Sequence, residues 1–424
     1  MQPIRLLHTA DIHIGMENYG RVEPETGING RVMDFLRRLT DLGEYAVDHD
    51  VDLFVFAGDA YKTRDPNPTY QREFARRIKQ IADAGIPVIL LVGNHDLPAV
   101  VRRATSIDIF GTLDVPNVYV GNREELVQIT CRRGQPLQAA LAPYPLRSAL
   151  ISREEHRGKS LEELDGLLQQ AMLDNLAALA DEARRQPEVP AILVGHFSVN
   201  EASHGSEKNI MIGRDAALPR SALADPTWRY VALGHIHKHQ NLNASNNPPV
   251  VYSGSIERID FGEEHEPKGF VVADITDAGT TWQFLAGYKR QPRRFVTIEC
   301  DVCERPDPTA AVLEAIEARG DLSAAVVRVV IKLRQEQEAT LVEREIVRAL
   351  EGCYYAAGLN KNVVRPERQR LGGVSVESLT PVELLARYFD LKQVTPDRAR
   401  LLRQRAEALI TAADSAPGRG AAGG

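Results

Sequence analysis

Short apolar runs alternate with amphipathic stretches through the first half of the chain. Residues 4–7 read as a strand, and 28–50 as a helix with Met33, Leu36, Leu39, Leu42 and Val47 on one face. The spacing then predicts a strand over 51–57, a helix over 69–85, a strand over 88–92 apolar enough to be buried on both faces, and a helix over 98–112. Strand–helix alternation of this kind is the signature of an α/β fold. Strands dominate from 117 to 143. A Leu- and Ala-rich helix near 160–185 stops at Gln186-Pro187-Glu188, and further strands are expected at 191–194, 230–233, 250–252 and 269–273. Residues 1–290 therefore read as one layered domain, with a central sheet covered by helices.

The pattern changes near residue 290. The basic string KRQPRR (289–294) reads as a connection. A strand (295–300), a helix (307–319), a strand (324–333) and a helix (338–350) follow, and then the basic stretch KNVVRPERQR (361–370). This defines a small α+β unit over 291–372. A third piece, 379–413, opens with Thr380-Pro381, a Thr N-cap with Pro at the first helical position. Its first helix carries an apolar stripe of Leu384, Leu385, Tyr388, Phe389 and Leu391, and Thr395-Pro396 starts a second helix. The tail 414–424 has the composition of disorder.

Composition changes this picture little. A hydrophobic content of 43% with 26% charged residues is that of a globular protein, and no stretch approaches the roughly 20 apolar residues of a membrane span. The N-terminus lacks the pattern of a secretory signal, and four scattered cysteines fit a reducing, cytoplasmic setting. The pair Cys300 and Cys303 has no second pair to complete a zinc site. A net charge of −7 argues mildly against a nucleic-acid partner, but bound divalent cations would add positive charge that the count omits.

The candidate chemistry lies where the apolar runs end. Asp11 and His13 follow the first run, and Gly58-Asp59 the second. Gly93-Asn94-His95-Asp96 follows the third, Gly195-His196 a fourth, and Gly234-His235-Ile236-His237 a fifth. In a layered α/β sheet the carboxyl ends of neighbouring strands converge on one crevice. Asp, Asn and His supply oxygen and nitrogen ligands suited to Mn²⁺, Fe²⁺ or Zn²⁺. Asp11, His13, Asp59, Asn94, His196, His235 and His237 are enough for two ions. Two ions about 3.5–4 Å apart can hold a phosphate, acidify a water and neutralise developing charge. A glycine before four of the five sets permits a sharp turn or a close backbone approach. Isolated histidines such as His8, His49, His156 and His239 read as structural.

This ordered set resembles the calcineurin-like metallophosphoesterases, and within them the SbcD nucleases. The strings that carry the likeness are HTADIHIG (8–15), FAGDAYKTRDPNP (56–68), LLVGNHD (90–96), VGHFSVNEA (194–202), ALGHIHKHQ (232–240) and YSGSIERIDFGEEHEPKGFVVADI (252–275). They cover residues 1–290; the later units match in layout more than in letters. The resemblance implies a four-layer α/β sandwich, two central mixed sheets flanked by helices, with a small α+β cap and a C-terminal helix pair. It implies that Asp11, His13 and His237 bind one metal, that Asp59 bridges, and that Asn94, His196 and His235 bind the second, the ions being Mn²⁺. His95 would then act as general acid or phosphate stabiliser, oriented by Asp96. After Gly58-Asp59 the family often has Leu or Val, then Phe, then His or Asp. Here Ala60-Tyr61-Lys62 stands instead, which puts an acid–base role at that position in doubt and makes Lys62 a candidate phosphate contact.

The resemblance further implies a manganese-dependent DNA exonuclease and endonuclease of the cytoplasm, active at the nucleoid. It would be the catalytic component of an ATP-regulated SbcC–SbcD complex in repair and recombination, dimeric within a heterotetramer. The unit 291–372 would cap the site and guide DNA, with Arg293, Arg294, Lys361, Arg365, Arg368 and Arg370 as backbone contacts. The helix pair 379–413 would grip the coiled-coil ATPase SbcC through Leu384, Leu385, Tyr388 and Phe389. Two competing readings are a small-molecule phosphodiesterase or phosphatase on the same scaffold, and a non-catalytic scaffold. The complete ligand set counts against the last.

Overall fold

The computed structural model describes residues 2–98, 103–145, 159–205, 216–244, 246–365 and 380–414. Strands β1 (Ile4–Thr9), β2 (Leu53–Phe56), β3 (Val88–Leu91) and β4 (Val118–Gly121) run parallel in register. Helices α1 (Gly30–Asp48), α2 (Pro68–Asp83) and α3 (Asp108–Thr112) connect them. A second sheet is built from β5 (Glu125–Thr130), β6 (Pro136–Ala142), β7 (Ala191–His196), β10 (Trp228–Gly234), β11 (Gln240–Asn241) and β12 (Val250–Tyr252). Helix α4 (Leu161–Ala183) crosses from β6 to β7, and the short pair β8 (Ser198–Val199) and β9 (Ala217–Leu218) lies outside the main sheets. Two further strands, β13 (Phe270–Thr276) and β14 (Gly279–Leu285), return to the first sheet as an antiparallel edge, giving the order β14-β13-β1-β2-β3-β4.

Alternating side chains divide the core as a two-sheet stack requires. Leu6, Val55, Ile89, Leu141, Val194, Ala232 and Ala273 meet between the sheets. Leu7, Phe54, Phe56 and Leu90 point the other way, onto Val32, Phe35, Leu36, Leu39 and Leu42 of α1 and Phe74 and Ile78 of α2. Leu193, Val231, Leu233 and Tyr252 face Leu168, Met172, Leu176 and Leu179 of α4. The result is the expected four-layer α/β sandwich. Helix starts are chemically marked: Asn29 and Asn67 cap α1 and α2, and Ser160 forms a capping box with Glu163 on α4.

Several elements differ from the sequence expectation. Val47 lies on the outer face of α1, and Phe35 and Ala46 take its place in the core. Of the helix expected over 98–112 only 108–112 is helical, and 99–102 are outside the described residues.

The third sheet is β15 (Arg294–Asp301), β16 (Ala325–Arg334) and β17 (Tyr355–Val364), all parallel, covered by α5 (Pro308–Glu317) and α6 (Glu343–Ala349). Its core joins Ile298, Val312, Val327, Val329, Ile331 and Ile346. Strand β17 was not expected: Ala356, Gly358, Asn360 and Asn362 face outward and Lys361 interrupts the half-buried set of Tyr355, Ala357, Leu359 and Val363, which masks its period of two. Helices α7 (Pro381–Leu391) and α8 (Pro396–Asp414) complete the described chain, with Thr380 and Glu383 forming the capping box of α7. Among the described residues no helix is long and apolar enough to cross a membrane.

Candidate metal centre

Every strand-end ligand set converges on one seam between the two sheets. Asp11 and His13 follow β1, Asp59 follows β2, and Asn94 and His95 follow β3, all from the first sheet. His196 ends β7, and His235 and His237 follow β10, from the second. Ligand atoms of Asp11, His13 and His237 lie within 4.8 Å of one another, as do those of Asp11, Asp59 and His196, and those of His13, Asp59 and His95. His13 and His237 bring their Nε2 atoms to 3.0 Å. The Asn94 Oδ1 stands 3.1 Å from His196 Nε2 and 3.0 Å from His235 Nδ1. Asp59 Oδ2 is 3.4 Å from His196 and 3.7 Å from His13, between the two groups.

Holding these side chains requires unusual backbone. Asp11, His13, Asp59 and His235 have φ of 52°, 50°, 60° and 95°, the left-handed region that non-glycine residues adopt at a cost of about 1–3 kcal/mol each. Hydrogen bonds between loops hold them there. His13 N donates to Asp59 O, and His235 N donates to both Asp11 oxygens across the seam. Gly93 is needed for close approach, since a Cβ there would clash with Asp59 Oδ1 and the Asp59 main chain.

The imidazoles are oriented from behind, as metal-binding histidines commonly are. His196 Nδ1 is 2.7 Å from the Ala57 carbonyl, which leaves Nε2 to face the seam. His237 Nδ1 is 2.8 Å from Glu263 Oε1. Burial lowers the pKa of both rings, but Asp59 and Asp11 outweigh it at His196, and Glu263 and Asp11 at His237, pushing each up to about 9. Burial raises the Asp11 carboxyl. Buried carboxylates thus draw positive charge into the seam, and the donor set of carboxylate, amide and imidazole fits one or two divalent cations without a thiolate. His8, read as structural, is buried beside Tyr230 and burial lowers its pKa to about 3.

His95 is half-exposed at the edge of this cluster, and its ring lies 4.8 Å from that of His13. Asp96 does not orient it. The Asp96 carboxylate instead accepts backbone N–H groups of Gly93, Asp59, Ala60 and Tyr61, at 2.9–3.3 Å. It therefore fixes the Asp59 turn, because successive side chains of a turn diverge. The orienting partner of His95 is the main-chain carbonyl of Lys62, 2.8 Å from Nδ1. Three further neighbours went unread in the sequence. They are Tyr144, whose ring is 5.6 Å from that of His235, and Glu263 and Lys268 behind His237. The acidic loop and the Lys-Gly-Phe string were the available signal for the last two.

The expected DNA contacts separate. Arg293 is no surface contact: its guanidinium grips Asp34 of α1 and lies over the Tyr354 ring, so the basic run there is partly structural. Lys361 pairs with Glu338 and Glu343. Arg294 and Arg365 are exposed, Lys62 is half-buried, and Arg368 and Arg370 lie outside the described residues. On α7, Leu384 and Leu385 are half-buried, Phe389 is buried and Tyr388 is exposed.

A two-sheet sandwich with aspartates, an asparagine and histidines gathered at its strand ends is the arrangement of the calcineurin-like phosphoesterases. The chain belongs to that family, whose pattern it matches over residues 4–239. Among named proteins it is similar to the SbcD component of the nuclease SbcCD from Rhodobacter capsulatus, with 29% identity over 64% of this chain and 66% of that one. It is also similar to the SbcD component of the nuclease SbcCD from Escherichia coli K12, with 30% identity over 61% of this chain and 62% of that one. The DNA double-strand break repair protein Mre11 of Archaeoglobus fulgidus is 26% identical over 61% of this chain and 52% of its own length. The matched region thus spans less than two thirds of the length of these relatives.

Proposed function

We propose that this chain is a metal-dependent phosphodiesterase acting on DNA, the nuclease component of an SbcC–SbcD-type complex in end processing and repair. The observation that carries the reading is the convergence of seven ligand side chains with His95 beside them, on a chain similar to the SbcD nucleases over this same region. Asp11, His13 and His237 hold one cation, Asn94, His196 and His235 the other, and Asp59 faces both. Mn²⁺ suits this mixed oxygen and nitrogen set. When bound, two such ions would supply Lewis-acid chemistry at the scissile phosphate, a lowered water pKa and charge neutralisation.

The chain's own residues do the rest. With its Nδ1–H donated to the Lys62 carbonyl, His95 has Nε2 left for the substrate, and in its imidazolium form it can give the Nε2 proton to the leaving oxygen and become neutral. Its partial exposure lets a substrate reach it, while burial of Asp11, Asp59 and His196 excludes bulk water from the ligands. The unit 291–372 caps the site, with Arg294 and Arg365 as candidate phosphate contacts together with Lys62 and Arg368. The segment 379–413 binds the coiled-coil ATPase through Leu384, Leu385, Tyr388 and Phe389, and the assembly is a heterotetramer with two copies of this chain.

The test is cleavage of linear double-stranded DNA with Mn²⁺, by the chain and by His95→Gln, with bis-p-nitrophenyl phosphate as control. Metal-dependent DNA degradation lost in the variant is expected. Turnover of the small ester with DNA untouched, even after addition of the ATPase, would overturn the DNA reading in favour of a small-molecule phosphodiesterase.

A further inference from the structure

Lys268 is a lysine with a side chain wholly inaccessible to solvent, 3.1 Å from an equally buried Glu263. A buried charge pair survives only when the remaining donors and acceptors are satisfied. Here Lys268 Nζ also donates to the His237 carbonyl at 3.0 Å and to Glu266 at 2.8 Å, and Ile259 N donates to Glu263 Oε2 at 2.8 Å. The other Glu263 oxygen takes His237 Nδ1 at 2.8 Å. The pair thus grips His237 twice, by its ring through Glu263 and by its main chain through Lys268.

Both residues belong to the loop 253–269, which lies against the 237–239 turn. A Cβ on Gly254 would come within 2.7 Å of His237 O. The same loop holds the third sheet. Glu264 accepts Thr297 N of β15 at 2.9 Å and the Thr297 hydroxyl, Phe261 packs on Phe295, and Arg328 lies 4.3 Å over the Phe261 ring. Arg258 donates to the Arg293 carbonyl at 3.0 Å. One residue of the loop therefore touches the candidate ligand, and the next touches the first strand of the capping unit.

The geometry points to the loop 253–269 as a tether, in which Glu263, backed by Lys268, is a positioning residue for His237, and Glu264 links the seating of the cap to metal affinity. This rests on the reading that His237 holds an ion, and the experiment separates the two. Mn²⁺ is titrated calorimetrically into the metal-free full-length chain, and the melting temperature of each metal-free variant is recorded. His237→Ala should lose one of two binding events; if it keeps both, His237 is not a ligand and the tether has nothing to position. Glu263→Ala strands a buried lysine and invites misfolding, so the test uses Glu263→Met combined with Lys268→Met, which removes the charge pair and the acceptor of His237 Nδ1 but keeps the volume. One ion should weaken roughly tenfold while the other is unchanged. Affinity equal to wild type in a chain where His237→Ala loses an ion overturns the positioning role, as does a lowered melting temperature with neither ion affected. Glu264→Ala should weaken the same ion a few-fold; wild-type affinity there, with hydrogen exchange showing 294–301 loosened, overturns the link to the cap.

Discussion

Two buried clusters of charge, one in the strand-end seam between the two main sheets and one between α1 and the third sheet, are built on opposite plans. Beside the third sheet, Arg31, Asp34, Glu257 and Arg293 satisfy one another, and Arg38 is held among them by main-chain carbonyls. Arg31 reaches Asp34 at 2.6 Å and Glu257 at 3.5 Å, and Arg38 donates to the carbonyls of Ile256, Ala286 and Arg290. Glu257 in turn accepts Arg293 N. At the strand ends, carboxylates and imidazoles face each other across the seam with no arginine or lysine among the seven candidate ligands. The first cluster sets three guanidinium groups against two carboxylates and a set of main-chain carbonyls, and closes on itself. The second has its acceptors turned inward, so what completes it must come from outside. Burial alone does not distinguish a structural ionic cluster from a functional one; the sign and direction of its groups do.

The largest effect that would sharpen this contrast is chemical. Asp59→Asn should lower DNA cleavage by about 10²–10³-fold, the scale on which one group stabilising transition-state charge acts. Activity within a few-fold of wild type would mean that Asp59 does not face both ions. In the closed cluster the loss should fall on stability instead. Arg38→Met leaves the carbonyls of Ile256, Ala286 and Arg290 short of a donor and removes the charge beside buried Asp41, and should cost about 3–5 kcal/mol in denaturant unfolding. A chain of wild-type stability would break the comparison. Chelation tests the open cluster directly: removing a cation held at 100 times its dissociation constant should cost about 2.7 kcal/mol, seen as a lower melting temperature. Arg38→Met should show the same metal-dependent increment on its lower baseline. The smallest effects lie on the surface. Arg294→Ala should reduce the salt dependence of DNA binding by about one unit of slope. Lys361→Ala, already engaged by Glu338 and Glu343, should change it by less, so equal slopes would remove the distinction drawn between them.

The open cluster was legible in the sequence because each ligand directly follows an apolar run, and strand ends of a layered sheet meet. Adjacency in the chain is then adjacency in space. The closed cluster was not, because Arg293 finds Asp34 from 259 residues away, and the basic letters around it look alike whether they face water or a carboxylate. Asp96 failed for a related reason. Its nearness to His95 in the chain suggested a partnership, but the turn sends the carboxylate to the Asp59 backbone. Strand β17 was hidden by its small and polar outer residues and by Lys361 in its inner set, and the partners of His237 by an acidic loop that resembles a solvated one.

The carbonyl that aims His95 belongs to Lys62, where the family pattern often places His or Asp. A main-chain oxygen is supplied by every amino acid alike. A survey of single substitutions at this position would read out the side chain's own part and miss the main-chain oxygen that orients His95; only a change that redirects the backbone, such as proline, would expose it. The side chain at 62 can therefore be rewritten without disturbing the aim of the His95 ring.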